Sequence, residues 1–367
     1  MEKEPIRILQ IVTNLKVGNG VMSVVLGWHA HLDTSKYQFD YLYFDEIPIS
    51  HKETISKYGG KFYYLPYRDK NSFKFLCAVY KFFKTHRYEI IHCHMPRSTT
   101  FIYLFATLFG VKYRIQHAHL TQWSKTTLGK LRNYFLLHTL MTHRVGCSYA
   151  AGKGYFGKKD FVVVNNGIEI AKFAYNPAVR AAKRKELGLE DKFVICNIGR
   201  FVEQKNHSFL IDVFAEVAAL DESACLVLVG SGVLEEQIKR QVAARNLQEK
   251  VMFLGRRRDI SELLQAGDVL CFPSIIEGLP VVGVEAQAAG LPCIFSDAIT
   301  SEILLLASSR MLSLKKSPKE WAEALLSLRG QPRLRTDTVQ KIKEFDVLRT
   351  SQQMYDVYSK LGESLYV

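Results

Sequence analysis

Three short stretches of this chain combine residue types that bind anions and sugar hydroxyls. In Gly199-Arg200-Phe201-Val202-Glu203-Gln204-Lys205-Asn206, a guanidinium and an ammonium lie five residues apart, just after an apolar run. Arginine can hold a phosphate through two parallel hydrogen bonds, and lysine adds a compact point charge. The second stretch, Pro273 to Ala286, places Glu277 in a turn and Glu285 about one turn inside the helix expected to follow, among almost wholly apolar residues. A carboxylate in such surroundings needs a partner, because burying it unpaired is costly. Two carboxylates at this spacing can both accept hydrogen bonds from a sugar. The third stretch is Val17-Gly18-Asn19-Gly20-Val21, where glycines let backbone N–H groups approach an anion at a helix start. Ser23 stands where a dinucleotide fingerprint would carry its third glycine, which weakens an oxidoreductase reading.

Two further pairs, His92/His94 and His117/His119, have strand spacing, so each pair projects to one face. Four such histidines could bind zinc. The chain has no Asp-x-Asp motif, however, and Arg200 with Lys205 would make a metal unnecessary for holding a diphosphate. No metal and no cofactor is expected.

Apolar runs alternating with helical patterns must position these residues. Strands are expected at Ile6–Thr13, Phe39–Phe44, Lys61–Leu65, Ile90–His94, Tyr113–His117, Arg144–Cys147 and Phe161–Asn165. A second set is expected at Phe193–Gly199, Ala224–Gly230, Val251–Leu254, Val269–Pro273 and Pro292–Ser296. Continuous apolar strands separated by helices imply parallel sheets covered on both faces. The fold class is therefore α/β, with two Rossmann-like doubly wound domains. The seam is expected near Ile170–Ala182, where Asn176-Pro177 reads as a break. This gives residues 1–172, 173–345 and a helical tail, 346–367, that packs back on the first domain.

The Arg200/Lys205 pair, followed by Glu277 and Glu285 within Glu277-Gly278-Leu279-Pro280-Val281-Val282-Gly283-Val284-Glu285, resembles the family 4 retaining glycosyltransferases of the GT-B fold. The likeness extends over nearly the whole chain, to the N-terminal glycine loop, His92/His94, His117/His119 and Asn166-Gly167-Ile168-Glu169. It is nearest to enzymes that build bacterial capsule or exopolysaccharide. One departure is the Gly18-Asn19-Gly20 loop, where the family usually has adjacent glycines. The resemblance implies two domains facing each other across a cleft, and a metal-independent transfer from a nucleotide-sugar, with UDP the commonest nucleotide. Arg200 and Lys205 would hold the diphosphate, helped by backbone N–H groups near Gly20 and Leu279–Val281, and Gly18, Gly278 and Pro280 would also line the donor. Glu285 would bind the ribose and Glu277 the transferred sugar. His117 would lie near that sugar, and Arg256 near the base. A GT-B epimerase or phosphorylase and a noncatalytic nucleotide-sugar-binding protein remain as alternatives.

The 367 residues carry a net charge of +13, and all of the excess lies early: residues 1–180 hold 25 basic against 11 acidic side chains. No nucleic-acid-binding motif accompanies this charge. The longest apolar run, Phe101–Val111, is 11 residues, short of the ~20 needed to span a bilayer. Seven scattered cysteines without CxxC spacing fit reduced thiols and a cytoplasmic location. The segment from Trp123 to Arg144 mixes bulky apolar residues with Lys125, Lys130, Arg132 and Arg144. It either covers a sheet or rests on anionic lipid beside a polyprenyl-diphosphate-linked or other glycan acceptor.

Overall fold

A computed structural model of the chain describes residues 4–47, 49–67, 71–95, 99–121, 127–334, 336 and 339–363. It forms two compact units, Met1–Gly167 with Val347–Val367, and Ile168–Asp346.

The first unit is built on seven parallel strands: β1 (Ile6–Ile11), β2 (Tyr37–Tyr43), β3 (Phe62–Tyr64), β4 (Ile90–Cys93), β5 (Tyr113–Ala118), β6 (His143–Gly146) and β7 (Val162–Val163), in spatial order 3-2-1-4-5-6-7. Its strands are tied together by Asp40 on β2. This buried carboxylate accepts hydrogen bonds from the Arg7 guanidinium, the Tyr88 hydroxyl and the Lys61 backbone N–H. The C-terminal helix Val347–Glu363 belongs to this unit, where the Tyr358 ring is fully buried and packs edge-on against Phe39. Close approach is required there. A Cβ at Gly167 would lie 2.0 Å from the Thr350 hydroxyl oxygen.

The second unit has six parallel strands: β8 (Phe193–Ile198), β9 (Ala224–Val229), β10 (Val251–Phe253), β11 (Val269–Phe272), β12 (Cys293–Ser296) and β13 (Arg310–Leu312), in order 10-9-8-11-12-13. Its core contains Phe193, Phe214, Ile238, Leu325 and the fully buried Trp321. Both sheets reverse direction of strand succession at one point, between β1 and β4 and between β8 and β11. Ligands of doubly wound sheets bind beyond the carboxyl ends of strands at such switch points.

Three local expectations change. Asn176-Pro177 is a helix start, not a break: the Asn176 side chain accepts from Ala178 N–H, and Pro177 opens the helix Pro177–Leu187. The edge strand β13 is not legible in the sequence, because three residues leave too short a pattern. In the tail, the expected helix of residues 346–367 is Val347–Glu363 among the described residues, preceded by a separate short helix, Gln340–Lys343.

Gly230 has φ 141°, and a Cβ there would lie 2.0 Å from the Gly199 carbonyl oxygen. Gly230→Ala is therefore expected to destabilise the second unit by about 1–3 kcal/mol. A lowered thermal unfolding midpoint checks this; an unchanged midpoint refutes the close packing of these two strand ends.

Candidate functional site

The loop after β8 and the loop after β11 meet at the second unit's switch point. After Gly199 the chain forms the turn Glu203–Lys205, then Asn206 at φ 56° redirects it into the helix His207–Leu220. After β11, Pro273 to Pro280 lead into the helix Val281–Ala288. Hydrogen bonds fasten the loops together. Ile275 N–H donates to the Gln204 carbonyl at 2.8 Å, and the Gln204 side chain donates to the Ile276 carbonyl at 2.7 Å. Next to this lock, Lys205 Nζ lies 2.7 Å from Glu277 Oε1 and 4.5 Å from the centre of the Phe272 ring.

Both partners are largely withdrawn from water, with side chains 15% and 10% exposed. The pair is thus a directed ammonium, held by a carboxylate and an aromatic face. Arg200 is exposed nearby in sequence at the end of β8. The Lys205 charge has a second effect, since burial and this neighbour together hold the His207 imidazole down to about 4.

Glu285 lies inside the helix Val281–Ala288 and keeps only a partial solvent edge. Burial pushes its carboxyl up to about 7, against the opposing pull of Lys172. Among the described residues its carboxylate receives no hydrogen bond and forms no ion pair. The nearby glycines serve packing. A Cβ at Gly283 would come within 2.9 Å of the Phe295 ring, and Gly290, at φ 66°, would meet the Leu334 carbonyl. Gly278, Leu279 and Pro280 are buried, and Val281 is half-buried. Arg256 is exposed after β10, with Nε donating to Ser231 Oγ at 2.6 Å.

Gly18, Gly20 and His117 belong to the first unit. Gly18 takes φ 80°, and Gly20 opens the helix Gly20–Ala30. Asn19 between them caps that helix by accepting from Val21 N–H, a role adjacent glycines could not fill. His117, on β5, is buried with Nδ1 3.2 Å from His92 Nε2. One nitrogen each of His92, His94 and His117 fall within 4.8 Å of one another, which makes them the one group with metal-site spacing among the described residues. Gln10 and Tyr358, which contact this cluster, carried no signal in the sequence: one is a polar residue inside an apolar strand, the other lies on a distant helix.

Trp123, Ser124, Lys125 and Thr126 lie outside the described residues. The helix that follows, Thr127–Phe135, leaves Leu128 (76% exposed), Leu131 (64%), Tyr134 and Phe135 open to solvent. It does not bury this face on the sheet. A π-type turn, Leu136–Leu140, rephases the chain so that Leu136 and Leu140 are buried.

Residues 179–345 match the family model described as glycosyl transferases group 1. The putative glycosyltransferase EpsF of Bacillus subtilis (strain 168) is 32% identical over 98% of this chain and 96% of its own length. An Escherichia coli UDP-Gal:alpha-D-GlcNAc-diphosphoundecaprenol alpha-1,3-galactosyltransferase is 32% identical over 61% of this chain and 62% of its own. Among solved structures, HepE of Anabaena in complex with UDP and glucose superposes with a TM-score of 0.81. It is 19% identical, covering 97% of this chain and all of that one, and so shares the GT-B fold. The chain belongs to the group 1 glycosyltransferases.

Proposed function

We propose that this glycosyltransferase is a retaining, metal-independent enzyme that moves a sugar from a UDP-sugar to a glycan or polyprenyl-diphosphate-linked acceptor in cell-surface polysaccharide synthesis. The observation that carries the reading is the Lys205–Glu277 pair at the switch point, with Glu285 unpartnered one helix turn on. UDP is the nucleotide bound to HepE, and a diphosphoundecaprenol-linked sugar is the acceptor named for the E. coli relative.

In this reading Lys205 and Arg200 pair with the diphosphate, aided by the backbone at Leu279–Val281. The C1–oxygen bond breaks with its electron pair passing to the diphosphate, whose growing charge Lys205 stabilises. The acceptor hydroxyl bonds to C1 on the face the diphosphate leaves, and its proton passes to the departing phosphate oxygen. Glu277 orients the sugar instead of attacking it, because Lys205 already engages its carboxylate. Glu285 accepts from ribose hydroxyls, and Arg256 lies at the base. No metal is called for, since Lys205 supplies the cation. The enzyme acts in the cytoplasm at an anionic membrane face, which the apolar side of Thr127–Phe135 and the early basic excess suit. No described helix is long and apolar enough to cross a membrane.

Incubated with UDP-sugars and lipid-linked acceptors in EDTA, the protein is expected to form a product with the donor's anomeric configuration; inversion, or a requirement for added metal, refutes the mechanism. Lys205→Ala should lower transfer by at least about 100-fold with an unchanged circular dichroism spectrum. Ribose recognition needs Glu285 as an acceptor, so UDP affinity should fall as pH drops below about 7, by up to ~10-fold per unit for one linked proton, and Glu285→Gln should flatten that profile. A pH-independent wild-type dissociation constant excludes this role. Finally, Leu128→Asp with Leu131→Asp should abolish flotation with anionic vesicles at low salt; equal flotation of wild type and variant removes the helix from the membrane contact.

A further inference from the structure

Three buried histidines, His92, His94 and His117, and the half-buried His119 lie at the carboxyl ends of β4 and β5, beside the first unit's switch point, and a continuous set of hydrogen bonds connects them. Gln10 on β1 stands in the middle. On one side its Oε1 lies 2.9 Å from His94 Nε2, and His94 Nδ1 lies 2.9 Å from His119 Nε2. On the other side Gln10 Nε2 lies 3.0 Å from the Tyr358 hydroxyl, which is 2.6 Å from His92 Nδ1. His92 Nε2 is in turn 3.2 Å from His117 Nδ1. Each arm ends on a buried nitrogen with no protein partner among the described residues, His119 Nδ1 on one and His117 Nε2 on the other. The two terminal rings are stacked, with centroids 4.3 Å apart and planes 11° apart.

We propose that Gln10 and Tyr358 tie His92, His94, His117 and His119 into one relay whose two open ends are always a donor and an acceptor, a pair made for a sugar hydroxyl.

The argument is one of hydrogen-bond parity. Desolvation holds His92 and His119 down to about 3, and His94 and His117 also far below the usual imidazole range, so all four are neutral. A neutral imidazole has one N–H and one lone pair, so accepting on one nitrogen forces donation from the other. With Gln10 oxygen towards His94, that histidine donates from Nε2 and accepts on Nδ1. His119 must then donate from Nε2, leaving a lone pair on Nδ1. On the other arm Gln10 donates to Tyr358, Tyr358 to His92 Nδ1, and His92 Nε2 to His117 Nδ1. His117 Nε2 is left with a hydrogen. Turning the Gln10 amide over reverses every bond in both arms together: His117 then ends on a lone pair and His119 on a hydrogen. In either state the ends are opposite in kind, because an amide shows oxygen to one arm and nitrogen to the other.

A hydroxyl both donates and accepts through a single oxygen, so it matches a pair of ends that are opposite in kind. Left unmet, each buried end costs about 1–3 kcal/mol. Of the three histidines at metal-site spacing, His92 and His94 have both nitrogens engaged in the relay, and His117 keeps only Nε2 open among the described residues. Gln10, Tyr358 and His92 are thus positioning residues, acting on the sugar through His117. The sugar assignment rests on the donor reading above; the relay itself does not.

Histidine-labelled full-length protein, studied by long-range proton–nitrogen NMR, tests both parts. All four histidines should be neutral and share one tautomer: N–H at Nε2 for the amide orientation seen, at Nδ1 for the reverse. A mixture of tautomers among the four overturns the relay. Tyr358→Phe should release His92 and His117 into tautomer mixtures while His94 and His119 keep theirs; four unchanged signals also overturn it. The same variant should lower sugar transfer about tenfold without changing UDP affinity, a split that general loosening of the fold would not produce. UDP-glucose, UDP-galactose and UDP-N-acetylglucosamine are then added in turn to the wild type. The His117 and His119 signals should move with the sugar nucleotide that is turned over and not with UDP alone. Turnover without such movement overturns the hydroxyl assignment and leaves the donor reading standing. If no sugar nucleotide binds, the donor reading and the hydroxyl assignment both fail, and the tautomers still decide the relay.

Discussion

The ion pair between Lys205 and Glu277 is possible only because two adjacent parallel strands send their following loops apart and then back together. β8 and β11 are neighbours in the sheet, yet 72 residues separate the two charged groups in sequence. The reversal of strand order makes a gap above the sheet, and the Gln204 hydrogen bonds to Ile275 and Ile276 close its base. With its floor fixed, a long flexible ammonium becomes a positioned one. Truncating either partner would leave a mostly buried charge without its counterion, which typically costs several kcal/mol. The loops, the left-handed Asn206 and the close approach at Gly230 all serve that placement.

The first unit uses the same topology and fills its switch point with the opposite electrostatics. Where the second unit holds an ammonium and carboxylates, the first holds neutral imidazoles kept uncharged by desolvation. A charged site suits a group that gains charge as a bond breaks. A neutral hydrogen-bonding site suits recognition of hydroxyls, where direction matters more than field.

The candidate residues are legible in the sequence where local grammar marks them. Arg200, Lys205 and Glu277 sit at a strand end or a turn, and Glu285 stands out as one carboxylate in an otherwise apolar helix. Both parallel sheets were legible for the same reason, as apolar runs of strand length between helical patterns. What escaped depends on contacts that no local pattern encodes. Tyr358 reaches His92 across 266 residues, and nothing about a tyrosine in an amphipathic tail announces it. Phe272 reads as one more apolar strand residue until Lys205 is placed over its ring. Gly283 and Gly290 show the same dependence on distant contacts, for one makes room for Phe295 and the other for the Leu334 carbonyl. Asn176-Pro177 reads as a stop because both residues break helices from within, although together they start one well.

Glu285 shows why a fold would keep a group that works against it. A carboxyl pushed up to about 7 by burial is more costly to ionise in the folded chain than in water. By that shift alone, the folded state binds the proton more tightly than the unfolded one, so the group's contribution weakens as pH rises from the ordinary carboxylate range towards 7. An apolar residue would relieve that cost, and the neighbouring Val284 and Ala286 show that the helix accepts such residues. Unlike Asp40, which shares its burial with Arg7 and Tyr88, Glu285 has no partner among the described residues to compensate it. Local inconsistency of this kind concentrates where a ligand completes the structure. On the proposed reading a ribose diol brings two hydroxyl donors to an acceptor that the protein has left unmet, and the stability forgone by the chain alone returns as affinity.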